Sequence, residues 1–225
     1  MNKWQELNLQ VDDWDNLIAL SFIDNFKKMG DGNFCDVGAC NGIFTKFFSQ
    51  ITKKQVYSFE MNPNNFNHLS SIVSANCIIE NLAVCNEDGE VNFYSEGTSS
   101  GNHLSNIVGY DANHREMIPQ GKVKSIKLDS YFDKIDVDYI KIDVEGAELE
   151  VLKGGINTLK RCKFAIIECH YDKDWAKIVD FCKSNGLKFK NLVDDEDIYY
   201  TRNATAIPGR SSNGRTYQMY IKNNF

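Results

Sequence analysis

Phe34-Cys35-Asp36-Val37-Gly38-Ala39-Cys40-Asn41-Gly42 reads as a short buried strand, 34 to 37, ending in a glycine turn and running into a helix over 43 to 50. Gly38 allows a sharp departure from the strand, and Gly42 lets the helix start approach both the sheet and a ligand, because neither carries a Cβ. Gln55-Val56-Tyr57-Ser58-Phe59-Glu60 reads as the next strand, with a carboxylate at its C-terminal end able to accept both hydroxyls of a ribose. The spacing is not the dinucleotide pattern G-x-G-x-x-G, since Ala39-Cys40 follows Gly38 and the next glycine is Gly42. A pyrophosphate needs several backbone N–H groups brought close by glycines. An amino acid with a cationic sulfur needs an acid instead, and Asp36 supplies one. Two readings stand at this point, a nucleoside cradle and a ligand-free packing turn.

The periodicity around this unit sets the class. Trp14, Leu17, Ile18, Leu20, Phe22 and Phe26 recur at helical spacing until Met29-Gly30-Asp31-Gly32 stops the helix. After the opening strand and helix come a strand at 55–59, a helix at 63–74 with Asn62 as cap and Pro63 in its first turn, and a strand at 77–80. Such alternation predicts an α/β chain with a parallel sheet covered by helices on both faces. From 87 to 128 it breaks. Asn86-Glu87-Asp88-Gly89 predicts a hairpin turn into Val91–Tyr94, and Val123–Leu128 predicts a second strand. The polar, Gly/Ser/Asn-rich stretch between them, 95 to 121, is expected to be a substrate-side lid. A strand over 137–142 ending at Asp143 follows, then a helical face of Leu149, Leu152, Ile156 and Leu159 interrupted by Gly154-Gly155. A strand over 164–167 ends at Glu168-Cys169-His170, and a helix and two strands, near 187–193 and 217–221, close the sequence.

The turn from Asp36 to Gly42, Glu60, and the run Tyr139-Ile140-Lys141-Ile142-Asp143-Val144-Glu145-Gly146-Ala147-Glu148 together resemble the FkbM family of S-adenosylmethionine-dependent methyltransferases. The resemblance covers roughly residues 30 to 170, and the Ile-Asp-Val-Glu-Gly-Ala-Glu run gives it its specificity. It implies a three-layer, Rossmann-like sandwich. Its sheet would be mostly parallel and seven-stranded, with an antiparallel edge strand and an inserted β-hairpin and loop. One domain over 1–225 is expected, with 1–32 an N-terminal helical segment and 87–128 the insertion. It also implies S-adenosyl-L-methionine as cofactor, bound by Asp36, Gly38, Ala39, Asn41, Gly42, Glu60, Met61 and Asp143, with Asn81 and Ala83 bordering the adenine. For Asn81 and Ala83, a strand end with a hydrogen-bonding turn is an equal reading. The acceptor implied is a hydroxyl of a sugar or glycan. A non-sugar small molecule, a protein side chain, and a non-catalytic module that only binds the cofactor are the alternatives.

In an open parallel sheet, ligands sit beyond the C-terminal ends of the strands. Asp36, Glu60, Asp143, Glu168 and His170, with the Asn81 turn, should therefore converge on one crevice. Carboxylates gathered there need cations or hydrogen-bond donors to share them. Asp143, Glu168 and His170 are the catalytic candidates, and His170 is a general-base candidate because imidazole titrates near neutrality. Asp143, Glu168 and His170, with Glu145, are also the set a Mg²⁺ or Mn²⁺ ion would take. Macrocin-type sugar O-methyltransferases, which the arrangement also resembles, use such an ion. Glu168-Cys169 stands where their Asp-Asp pair is expected, which counts against a metal. Glu148 reads as helix-start chemistry, whatever the function.

A net charge of −6 gives no electrostatic footprint for phosphate backbones, so nucleic acid is not an expected partner. No apolar run approaches the ~20 residues of a membrane span, and the first residues lack a signal-peptide layout. Seven cysteines without a C-x-x-C pair read as reduced thiols, so a cytoplasmic location is expected.

Overall fold

The computed structural model describes residues 13–95, 102–104, 118–169, 172–191 and 217–222. Four runs that are apolar except at one position, Phe34–Val37 (β1), Val56–Phe59 (β2), Tyr139–Ile142 (β8) and Phe164–Cys169 (β9), form strands buried along their whole length. That is the signature of a parallel sheet covered on both faces. With Cys77–Glu80 (β3), Phe189–Asn191 (β10) and Tyr217–Lys222 (β11) they make a seven-stranded sheet in the order β10-β11-β9-β8-β1-β2-β3. β11 pairs antiparallel with both β9 and β10, so the antiparallel strand lies one place in from the sheet's edge.

Period-two alternation sends successive side chains to opposite faces, and two cores result. On one face Phe34, Val56, Tyr139, Phe164 and Ile166 meet helices α1 (Asp13–Met29) and α2 (Ile43–Ile51). On the other, Cys35, Val37, Tyr57, Phe59, Ile140, Ile142, Ala165 and Ile167 meet α4 (Leu128–Tyr131), α5 (Glu148–Gly154), α6 (Ile156–Arg161) and α7 (Asp172–Ser184). Phe22 of α1 anchors the first face, with its ring 4.9 Å from that of Phe48 and 5.3 Å from that of Phe164, both edge-on. Phe22→Ala is expected to destabilise the fold by about 3–5 kcal/mol, read as a lowered urea midpoint with an unchanged slope. A loss below about 1 kcal/mol would mean that α1 does not hold this face.

Helix α3 (Pro63–Ile72) begins as its sequence predicts, with Pro63 at its start and the Asn62 side chain accepting from Asn64 N at 2.9 Å. The predicted 149–159 helix divides at Gly154-Gly155 into α5 and α6, and a Cβ on Gly154 would overlap the Cys85 carbonyl oxygen, so only glycine fits at the break. Asp129 then anchors the start of α6, accepting from Thr158 N at 2.7 Å and from Thr158 Oγ1 at 2.8 Å. Leu128, expected as the last residue of a strand, instead starts the short α4.

The inserted region differs from its expectation. Ala83–Val84 (β4), Gly89–Ser95 (β5), Asn102–Leu104 (β6) and Ile118–Ile126 (β7) form a second sheet in the order β4-β7-β5-β6. The turn at 86–89 does not make a hairpin, because β7 lies between β4 and β5. Asp88 in that turn accepts from Lys127 N and Ser130 Oγ, both at 2.7 Å, and so ties down the exit of β7. The buried face of this sheet, Ala83, Val91, Phe93 and Val123, packs on Met61, Val144 and Ala147, in the loops that leave β2 and β8. Residues 96–101 and 105–117, most of the expected lid, lie outside the described residues. No helix among the described residues is long and apolar enough to cross a membrane.

Candidate active site

Two loops with left-handed backbone lie side by side beyond the C-terminal ends of β1 and β8. In the first, Gly38, Cys40 and Gly42 have φ values of 80°, 49° and 82°; in the second, Glu145 and Gly146 have 51° and 105°. Their contact is so close that a Cβ on Gly38 would overlap the Asp143 carbonyl oxygen. The start of α2 also favours glycine, because Gly42 holds a φ of 82°, while a Cβ there would meet only the movable end of the Leu69 side chain.

Glu60 binds the first loop to the end of β2. Its Oε2 accepts from Cys40 N and its Oε1 from Asn62 N, each at 2.7 Å, and the Asn65 side chain adds a further donor. A carboxylate offers about four acceptor positions, so roughly one is left for a ligand hydroxyl instead of the pair a bidentate ribose contact needs. Burial raises the Glu60 carboxyl from its ordinary value, against the pull of these donors. Asn81 holds the same corner from behind, donating to the carbonyls of Glu60 at 2.8 Å and Met61 at 3.1 Å. These are the bonds of a hydrogen-bonding turn. Ala83 is only 3% exposed, on the buried face of the second sheet, while Asn41 is exposed and its Oδ1 accepts from Ile43 N at 3.3 Å. Ala39 is buried in the turn and Met61 half-buried.

Asp36 lies lower than expected. Third in β1, it is fully buried beneath the glycine turn, where Thr45 Oγ1 of α2 donates to its Oδ2 at 2.8 Å. Lys141, its register partner on β8, brings Nζ to 3.8 Å from Asp36 Oδ1 and 3.1 Å from Asp143 Oδ2. Burial raises the Asp36 carboxyl, a penalty that Lys141 and Thr45 offset in part. For Lys141, burial pulls the ammonium down but the carboxylates of Asp143, Asp36 and Glu168 outweigh it, so the group is raised and stays charged. Glu168, within β9, is 6% exposed. Asp143 is the member that reaches outward, with 27% of its side chain accessible.

The strand-end reading thus brings Asp36, Asp143 and Glu168 around one cation, with Glu60 at the adjoining turn. That cation, Lys141, was missed, although a lysine inside an otherwise apolar strand called for buried partners. His170 lies outside the described residues. Among the described residues no group of three or more His, Cys, Asp or Glu side chains is placed to hold a metal ion. Glu148 is 1% exposed and accepts from Gly146 N at 2.9 Å, which gives it the loop-and-helix-start role read from the sequence. Chemically, a partly open carboxylate beside two left-handed turns suits a cationic ligand and, next to it, a hydroxyl.

Known proteins resemble both the sequence and the shape. Hexuronic acid methyltransferase AglP from Haloferax volcanii is 30% identical over 177 residues, 74% of this chain and 69% of its own. Among solved structures, the N-terminal domain of human METTL16 in complex with SAH superposes with a TM-score of 0.54 at 12% identity, over 99% of this chain and 78% of that one. An rRNA methylase from Streptococcus thermophilus gives 0.53 at 14% identity, over 95% and 98%. At such identities these structures speak for the Rossmann-like methyltransferase fold alone. The Methyltransferase FkbM domain model matches residues 36–189, from the buried Asp36 to the first residue of β10. By that match the chain belongs to the FkbM family of S-adenosylmethionine-dependent methyltransferases.

Proposed function

We propose that the chain moves a methyl group from S-adenosylmethionine to a hydroxyl of a sugar, with acidic sugars the first class of acceptor to try. The observation that carries this reading is the likeness to a hexuronic acid methyltransferase over most of both chains. The net charge of −6, unsuited to a nucleic-acid backbone, supports it.

When bound, the cofactor supplies a methyl on a sulfonium, whose leaving group is a neutral thioether that needs no proton. The residues then have mainly to align the reactants, which is worth on the order of 7–11 kcal/mol. In this reading the turn from Gly38 to Gly42 seats the nucleoside, and Glu60 takes one ribose hydroxyl at its remaining acceptor position. Asp143 faces the cationic end and the incoming hydroxyl. The oxygen–methyl bond forms as the sulfur–methyl bond breaks, and the hydroxyl proton passes to a base, for which Asp143, Glu168 and His170 are the candidates. A placed base adds roughly 10² to 10⁴-fold.

The test is incubation with S-adenosylmethionine and a panel of hexuronic acids, neutral sugars, nucleotide-linked sugars, RNA and a protein, with S-adenosylhomocysteine as readout. Turnover with sugars, highest for the acidic ones, is the expected result. Turnover with RNA or protein alone would overturn the sugar reading. The same panel with EDTA decides the metal: undiminished turnover removes Asp143, Glu168 and His170 as a ligand set.

A further inference from the structure

One row of the main sheet has no part in the chemistry above. Ser58, Asp36 and Lys141 stand in register across β2, β1 and β8, at the centre of a sheet whose other inward positions are almost all apolar. Asp36 Oδ1 is buried and accepts no hydrogen bond, a costly state for a carboxylate oxygen. The Lys141 ammonium stands 3.8 Å from it, outside hydrogen-bond reach, because it sits against Asp143 Oδ2 at 3.1 Å. A movement of about 1 Å would exchange one pairing for the other. The Phe44 ring, 4.8 Å from Nζ, gives the ammonium an aromatic floor beside both positions.

We propose that Lys141 is a positioning residue with two seats, on Asp143 while the crevice is empty and on the orphaned Asp36 oxygen once a cationic ligand takes Asp143. This rests on the cofactor reading given above. The Lys141 ammonium lies among the carboxylates of Asp36, Asp143 and Glu168, and the seat it occupies decides how much of their field reaches the ligand. On the Asp36 seat, the Lys141 ammonium offsets less of the Asp143 charge that the sulfonium meets. Once methyl transfer has left a neutral thioether, the attraction falls and Lys141 returns to Asp143, which loosens the product. The orphaned oxygen is thus the vacant seat that the exchange needs.

The cofactor and its demethylated product, S-adenosylhomocysteine, differ by the methyl group and the sulfonium charge, so the ratio of their affinities reads this field. Calorimetric titration of both into the wild-type chain, Asp36→Asn and Lys141→Met tests the idea. Asp36→Asn removes the second seat and keeps the shape, so Lys141 stays on Asp143 and the preference for the cationic ligand falls on the order of ten-fold. Lys141→Met removes the competing cation, and the preference rises by a similar factor. Loss of packing would weaken both ligands together, so opposite shifts mark the electrostatic role. Should Lys141→Met fail to fold by circular dichroism, Asp36→Asn decides alone. An unchanged ratio in Asp36→Asn, or shifts of the same sign in both variants, overturns the two-seat role and leaves the cofactor reading intact. A wild-type chain that binds neither compound overturns both.

Discussion

Gly38→Ala is expected to cost about 4 kcal/mol or more and to abolish binding of S-adenosylmethionine. Two effects combine there: a φ of 80°, which an L side chain adopts at a cost, and a Cβ driven into the Asp143 carbonyl. The β1 and β8 loops would have to part, and in parting they would undo the bond from Asp143 N to the Val37 carbonyl at 3.0 Å. Gly30→Ala is the control, because Gly30 has nearly the same φ, 84°, and nothing within 4 Å of a built Cβ. It should cost only about 1 kcal/mol. Equal urea midpoints for the two variants would refute the close approach of the two loops.

Asp143→Asn should lower kcat/KM for the cofactor about 100-fold, or about 2.7 kcal/mol, while moving the unfolding midpoint little. The amide keeps the shape and the loop backbone, but takes from the crevice the carboxylate that Lys141 grips and that has 27% of its side chain exposed. Steady-state kinetics and a urea melt on the same preparation check it. Activity within three-fold of wild type would remove Asp143 from both of its proposed tasks, the cationic end and the hydroxyl.

How far the sequence could be read depended on the distance over which the deciding contacts act. The cap at Asn62-Pro63, the break at Gly154-Gly155 and the glycine turn were legible because each is written within a few neighbouring residues. The second sheet was not. Asn86 to Gly89 has the composition of a hairpin turn, and nothing local announces that β7, from later in the chain, will lie between the strands it joins. The neighbours of Asp36 were hidden for the same kind of reason. A lysine on β8 becomes the neighbour of its carboxylate only through the β1–β8 register. Glu60 was placed correctly at the strand end, but its oxygens turned out to serve two backbone N–H groups, which no side-chain pattern records.

The position of β11 bears on how the molecule is made. β10 touches the main sheet only through β11, and β11 follows it in the chain. While a ribosome is still adding the residues before 217, β9 has no partner on that flank and β10 has nowhere to dock. Synthesis at ~5–20 residues per second therefore leaves a strand edge that is apolar except at Glu168 open for seconds, the kind of edge that pairs with the wrong chain. A chaperone that shields nascent β-edges should matter more to the yield of this protein than its final stability would suggest.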